Sequence, residues 1–124
     1  MTIQLQYLDF DYSEDADGTG SFDAMASVLP AQLSALQREI TEVLAWAHGQ
    51  FPDACGPTED GGMWHYDLQG TEEVSTPLAL EFDPATKRMH TQPGTPTSPR
   101  TTLTLTLSGN AMFCAALQDA FALV

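Results

Sequence analysis

The chain has 124 residues, of which 43% are hydrophobic and 9% aromatic, enough for one ordinary core and too apolar for a disordered acidic tail. Its 17 acidic and four basic residues give a formal net charge of −13, and a field of that sign repels the phosphates of nucleic acids and of anionic membranes. We therefore expect a single domain spanning residues 1–124 that binds neither nucleic acid nor membrane. The negative charge either only keeps the protein soluble or also attracts a partner with a basic surface.

The compartment follows from the cysteines and from the start of the chain. Cys55 and Cys114 are too few and too differently placed to form a disulfide framework. Residues Met1–Gln4 contain no basic residue and no long apolar run, so they do not resemble a signal peptide. No apolar stretch is long enough to span a bilayer. These features predict a soluble, cytoplasmic protein.

The first third of the chain predicts a hairpin. Thr2–Phe10 alternates apolar and polar residues, which predicts a half-buried strand, and Asp11–Gly20 is acidic and rich in turn residues. Ser21–Leu29 fits a second strand but also fits a backward extension of the following helix. Pro30 favours the strand, because the residue before a proline is pushed toward extended geometry.

The clearest helix runs from Pro30 to Gly49. Apolar residues recur every three or four positions and form one stripe: Leu29, Leu33, Leu36, Ile40, Val43 and Ala47. Pro30 suits the first helical position, Gly49 is predicted to take a left-handed stop, and Pro52 prevents the helix from resuming.

The remaining elements alternate between strand and turn signals before a last helix. The predicted strands are Met63–Gln69, Leu78–Phe82, Lys87–Thr91 and Arg100–Leu107. A turn is predicted over Gly70–Ser75, a type I turn over Asp83–Thr86 and an extended loop over Gln92–Pro99. Ser108 or Asn110 is predicted to cap the final helix, whose apolar side is Phe113, Leu117, Phe121 and Val124.

The order β-β-α-β-β-β-β-α predicts an α+β fold. One antiparallel sheet of four to six strands, with both helices packed on one face, buries the apolar side of every element.

The acidic segment partly matches a calcium-binding loop. Read from Asp15, it places Asp17, Gly20 and Asp23 at matching positions, but Ala26 stands where the closing bidentate glutamate is required. A strand precedes the loop instead of a helix. We therefore favour a solvated hairpin loop and leave open whether it binds a cation.

Other chemistry has little support in the sequence. The spacings of His48, His65, His90 and Cys55 fit no usual zinc-ligand pair. There is no nucleophile elbow, phosphate-binding loop or dinucleotide-binding turn. Cys55 lies in an acidic loop, which raises a thiol pKa and disfavours a reactive thiolate. We expect no cofactor and no metal, and enzymatic activity is the less favoured interpretation.

Two classes of function remain. The first is a small acidic, non-catalytic domain that binds another protein, plausibly one with a basic surface, as inhibitors, immunity proteins and chaperones do. Its predicted contact residues are Asp11, Glu14, Asp15, Asp17 and Trp64. The alternative is a small-molecule-binding or hydrolytic domain with a pocket between sheet and helices near Trp64, His65 and Tyr66. The chain is either a monomer or a homodimer, since unpaired strand edges favour self-association.

Overall fold

The computed structural model describes residues 3–57 and 61–123. Its elements are β1 (Asp11–Glu14), β2 (Gly20–Val28), α1 (Pro30–Gln50), β3 (Trp64–Glu73), β4 (Leu78–Asp83), β5 (Arg88–Pro93), β6 (Arg100–Gly109) and α2 (Ala111–Phe121). The predicted α+β class and the order β-β-α-β-β-β-β-α are confirmed. The segment 21–29, whose sequence fits both a strand and a helix, is a strand up to Val28.

The strands form two antiparallel sheets. The larger sheet has the order β1-β2-β6-β3, and β4 pairs with β5 in a separate two-stranded sheet. Strand β6 is central, because Gly109 lies opposite both Gly20 of β2 and Trp64 of β3. In all, nine residues of β2 and ten of β3 pair with β6.

The core lies between the larger sheet and both helices. Alternate residues of β2 and β6 face this side, as expected for a strand with one buried face. The buried members are Phe22, Ala24, Ala26, Val28, Leu105 and Leu107 from these strands, Leu36, Ile40, Val43 and Ala47 from α1, and Phe113, Cys114, Leu117 and Phe121 from α2. The opposite face carries mainly serine, threonine and aspartate. The predicted apolar stripes are confirmed from Leu36 to Ala47 in α1 and from Phe113 to Phe121 in α2, whereas Leu29 is 40% exposed and Val124 lies outside the described residues.

The N-terminal segment differs from its prediction. Residues 3–10 do not form a strand, and Thr2 lies outside the described residues. The first strand begins at Asp11 instead, and it pairs with Ser21, Phe22 and their neighbours on β2. The apolar side chains of residues 3–10 still pack against the core. Their backbone N–H groups, however, donate hydrogen bonds to acceptors that are not part of any strand.

The carboxylate of Glu39 binds this segment. Its two oxygens accept hydrogen bonds from the backbone N–H groups of Gln6 (2.8 Å), Tyr7 (3.0 Å) and Leu8 (2.7 Å). The backbone N–H of Ile3 donates to the carbonyl oxygen of Ala120 at 2.9 Å. The segment thus joins α1 to the end of α2, and Glu39 itself is buried.

Two predicted boundaries differ in the structure, and the choice between two helix caps is resolved. Gly49 lies inside α1, which ends at Gln50, so the predicted left-handed stop at Gly49 is wrong. Gly70 lies inside β3 and is not a turn, and a side chain there would meet Leu103 of β6 at 2.8 Å. Of the two candidate caps, Asn110 fills the role: its side-chain oxygen accepts a hydrogen bond from the N–H of Phe113 at 2.9 Å.

Across residues 3–57 and 61–123, neither helix has the length and apolar character that crossing a membrane requires.

Candidate functional site

The acidic residues predicted to contact a partner lie on the edge strand of the larger sheet and on the turn after it. Asp11 and Glu14 belong to β1, Asp15 and Asp17 to the turn after it, and all four are exposed. Asp15 also closes the turn, because its Oδ1 accepts hydrogen bonds from the N–H groups of Asp17 and Thr19, both at 2.9 Å. Among the described residues, no three histidine, cysteine, aspartate or glutamate side chains are grouped to hold a metal ion.

Trp64, the remaining predicted contact residue, is part of the core. Its side chain is fully buried and stacks on Phe113, with ring centroids 5.5 Å apart and planes 5° from parallel. The imidazole of His48 meets its ring edge to face at 4.9 Å. The indole N–H donates to the carbonyl oxygen of Phe51 at 3.4 Å. A buried indole presents no surface to a partner, so the structure does not bring Trp64 together with the acidic residues.

The side chains of Trp64, His65 and Tyr66 are not arranged as the predicted pocket requires. Neighbouring residues on a strand point to opposite faces. Trp64 and Tyr66 therefore face the helices, whereas His65 is exposed on the polar face of the sheet. These three side chains do not converge on one cavity.

The two cysteines differ in accessibility. Cys114 is buried in α2 and its thiol donates to the carbonyl oxygen of Gly109 at 3.4 Å, while Cys55 is exposed. Burial raises the pKa of the Cys114 thiol, and partial burial also raises the pKa of Cys55. The predicted direction for Cys55 is thus confirmed, with desolvation as its cause.

We expect one slowly reacting thiol in the folded protein. Thiolates are the reactive form, so a raised pKa slows the reaction of Cys55 with a disulfide reagent at neutral pH, and its rate should keep rising above the pH at which an ordinary thiol titrates. Cys114 should react after denaturation. Colorimetric thiol titration of the wild type and of Cys55→Ser measures this; rapid reaction of native Cys55→Ser would contradict the burial of Cys114.

Strands β4 and β5 form an exposed hairpin, which the sequence predicts as two strands and a turn. We call residues 75–97 the hairpin arm. Strands β4 and β5 pair from Leu78–Pro93 to Asp83–Arg88. Backbone hydrogen bonds at its base continue the pairing. The N–H of Gly94 donates to the carbonyl oxygen of Pro77, and the N–H of Thr97 donates to the carbonyl oxygen of Ser75, both at 2.8 Å.

The hairpin arm has one apolar face, and that face is uncovered. The register places Phe82 opposite Met89 and Leu80 opposite Thr91, while Leu78 lies two residues before Leu80 on the same side. Leu78, Leu80, Phe82 and Met89 each expose between 56% and 63% of their surface. No other strand pairs with β4 or β5 within the described ranges. Four large apolar side chains therefore share one solvent-exposed face.

The turn of the hairpin arm is ordered by its own residues. The Asp83 carboxylate accepts a hydrogen bond from the N–H of Ala85 at 3.0 Å, and hydrogen bonds from the Thr86 side chain and this N–H lower the pKa of Asp83. Lys87 has a φ of +57°, the left-handed geometry that lets the chain enter β5. Lys87 and Arg88 therefore stand at the tip.

The base of the hairpin arm borders a cleft. The cleft has a volume of about 580 Å³. It is lined by Leu29, Glu73, Val74, Ser75, Thr97, Ser98 and Arg100. Val74, which precedes the arm, is 54% exposed in this cleft.

No protein-family model, no curated protein and no solved structure gives a significant match to this chain. The functional argument therefore depends on the chemistry of its own surfaces. The sequence indicates the hairpin arm through the alternation of Leu78, Leu80 and Phe82 and through the turn at Asp83. That alternation predicts a strand with one apolar face, and nothing in it shows what covers that face.

Proposed function

We propose that this chain is a small acidic, non-catalytic domain of the cytoplasm that binds another protein, and that the hairpin arm is its main contact element. The single observation that supports this is the exposed face formed by Leu78, Leu80, Phe82 and Met89. Contiguous apolar patches on soluble proteins are usually small, and larger ones mark interaction sites.

The energetics of a hairpin favour the same conclusion. An isolated two-stranded hairpin is marginally stable in water, and it needs further strands or a packing surface for independent stability. Covering its apolar face contributes about 25 cal/mol for each Å² removed from water. A partner that covers this face therefore stabilises the arm while it gains affinity.

The charge distribution determines what the rest of the domain attracts. The hairpin arm holds two acidic and two basic residues of the chain's 17 and four, so 15 acidic and two basic residues lie elsewhere. This acidic body favours a partner with a basic surface and accelerates its encounter by long-range attraction. Asp11, Glu14, Asp15 and Asp17 are exposed members of this body and are kept as proposed contacts.

The small-molecule alternative receives less support. Trp64 is buried and His65 faces the other side of the sheet, so the side chains that would define the pocket are separated by the strand itself.

We expect the immobilised chain to retain a specific protein from an extract of its native cells, and Leu80→Asp to abolish this retention. Leu80 is 63% exposed, so the substitution leaves the fold intact while it places a charge on the apolar face. Met25→Asp is the matched control, since Met25 is 69% exposed on β2, far along the chain from the arm. Retained proteins are identified by mass spectrometry at low and physiological salt.

The outcomes separate the two parts of the proposal. Retention that weakens with salt supports the contribution of the acidic body, because screening acts on exposed charges over a Debye length of about 8 Å at physiological salt. Retention that is equal for wild type and Leu80→Asp contradicts the role of the hairpin arm. Failure of every form to retain any protein contradicts the proposed function.

A further inference from the structure

We infer that the apolar face of the hairpin arm is covered by the same face of a second copy of this chain, with the two arms antiparallel. The inference rests on the proposed function, because it takes the arm as a protein-binding element and names its partner. It is carried by two properties of the arm, its self-complementary shape and its charge.

The shape of the arm suits a symmetric contact. In a two-fold symmetric interface the same patch lies on both subunits, so each residue needs a compatible counterpart in the same set. Leu78, Leu80 and Phe82 follow one another along β4, and an antiparallel partner places this row against itself. Two sheets packed face to face lie about 10 Å apart, a gap that leucine, phenylalanine and methionine side chains fill. The result is a small four-stranded sandwich with a dry interior.

The charges of the arm also favour a second copy. At the tip, Arg88 lies opposite Asp83 on the other face of the arm, so the exposed Lys87 is the charge without an opposing neighbour in the register. In an antiparallel pair each tip approaches the base of the other arm, where Glu73 lies opposite Arg100 and the exposed Glu72 has no basic neighbour opposite it in the sheet. Opposite charges thus meet at both ends of the contact and specify the antiparallel orientation.

A different partner with a basic surface fits the acidic body better than the arm. Its positive charges gain no net attraction from the arm, which holds two acidic and two basic residues, whereas the body offers 15 acidic residues against two basic ones. The arm itself is electrically neutral and projects from the sheet, so two copies can meet through their arms while their acidic bodies stay apart. Under self-pairing, the protein whose retention from the extract depends on Leu80 is a second copy of this chain, and the acidic surfaces stay uncovered.

The test is the mass of the full-length chain in solution, measured by sedimentation over a wide concentration range. We expect a concentration-dependent dimer in the wild type and in Met25→Asp. In Leu80→Asp and in Phe82→Asp, dimer dissociation should be favoured by roughly 100-fold or more, since the two-fold axis buries each new charge twice. Circular dichroism and tryptophan fluorescence check that each variant keeps the fold.

A charge exchange tests the orientation. Lys87→Glu should weaken the dimer roughly threefold, and adding Glu72→Lys in the same chain should restore most of that loss. Failure of Glu72→Lys to restore association would overturn the antiparallel arrangement.

The remaining outcomes distinguish this inference from the proposed function. A wild type that stays monomeric, a dimer indifferent to Leu80→Asp, or a dimer lost equally in Met25→Asp would overturn the pairing of arms. A differently tagged second copy is added to the cell extract used above, so that self-capture and capture of another protein are read together. Capture of another protein alone, lost in Leu80→Asp, overturns self-pairing and supports the proposed function. Capture of neither contradicts both.

Discussion

Replacing Leu36 by aspartate is expected to unfold the domain. Leu36 is fully buried at the centre of the α1 stripe, next to Ile40 and Val43, which are also buried. Truncating a buried leucine costs about 2–5 kcal/mol, and burying an unpaired carboxylate in its place adds several more. Domains of this kind have a total stability of about 5–15 kcal/mol, so the combined loss removes most or all of it.

The measurement is urea denaturation of purified protein followed by circular dichroism. The control is Gln37→Asp, which introduces the same charge one residue away on the exposed side of α1 and should leave the midpoint almost unchanged. A Leu36→Asp variant that is soluble and unfolds cooperatively at the wild-type midpoint would show that another face of α1 packs on the sheet.

The helices and the central strand could be predicted because their buried residues follow a regular period. In α1 and α2 the buried residues recur at three or four positions, and in β6 Leu105 and Leu107 alternate with threonine. Each period matches one secondary structure and one buried face. The cap at Asn110 follows from similarly local chemistry, because a side-chain oxygen before a helix satisfies a free N–H group of its first turn.

The N-terminal segment could not be predicted in the same way. Partly buried Ile3, Leu5 and Tyr7 do alternate with exposed glutamines, as residues of a strand do, and an irregular extended segment gives the same pattern. What separates the two is the partner of the backbone N–H groups, and here that partner is a carboxylate 31 to 33 positions further along the chain. In the sequence Glu39 is one of several polar residues on the outer side of α1, so nothing local marks it as buried.

The hairpin arm shows a second limit. Its strands and turn follow from alternation and from the residues Asp83 and Pro84, and the structure confirms them. Membership of a sheet is a long-range property, however, and β4 and β5 pair with each other apart from the four-stranded sheet. Gly70 shows the same limit of local sequence information. Its sequence context predicts a turn, but it lies within β3, where Leu103 of the neighbouring strand leaves no room for a side chain.

Loss of the Glu39 carboxylate is expected to release the N-terminal segment. In Glu39→Ala the N–H groups of Gln6, Tyr7 and Leu8 lose their acceptor together, and each unsatisfied buried donor costs about 1–3 kcal/mol. Some of these groups are only partly buried and can reach water. We therefore expect a loss of about 2–5 kcal/mol in the free energy of unfolding, with Leu8 withdrawn from the core.

Two further variants, Glu39→Gln and Glu42→Ala, separate the hydrogen bonds from other effects of the substitution. In Glu39→Gln the new amide retains one acceptor oxygen but turns an NH₂ group toward the remaining donors, so this variant should lose an intermediate amount of stability. Glu42→Ala removes the same charge from an exposed position one turn along α1 and should be close to neutral. Equal effects of Glu39→Ala and Glu42→Ala would contradict a specific role for Glu39.

Hydrogen exchange gives the most direct readout, because it reports on the three donors themselves. In the wild type the amides of Gln6, Tyr7 and Leu8 should be protected although they belong to no helix or strand. In Glu39→Ala these amides should exchange freely, whereas the central amides of β6 should stay protected as long as the domain remains folded. Such a result would show that one buried side chain takes the place of a neighbouring strand for this segment, and unprotected amides in the wild type would refute it.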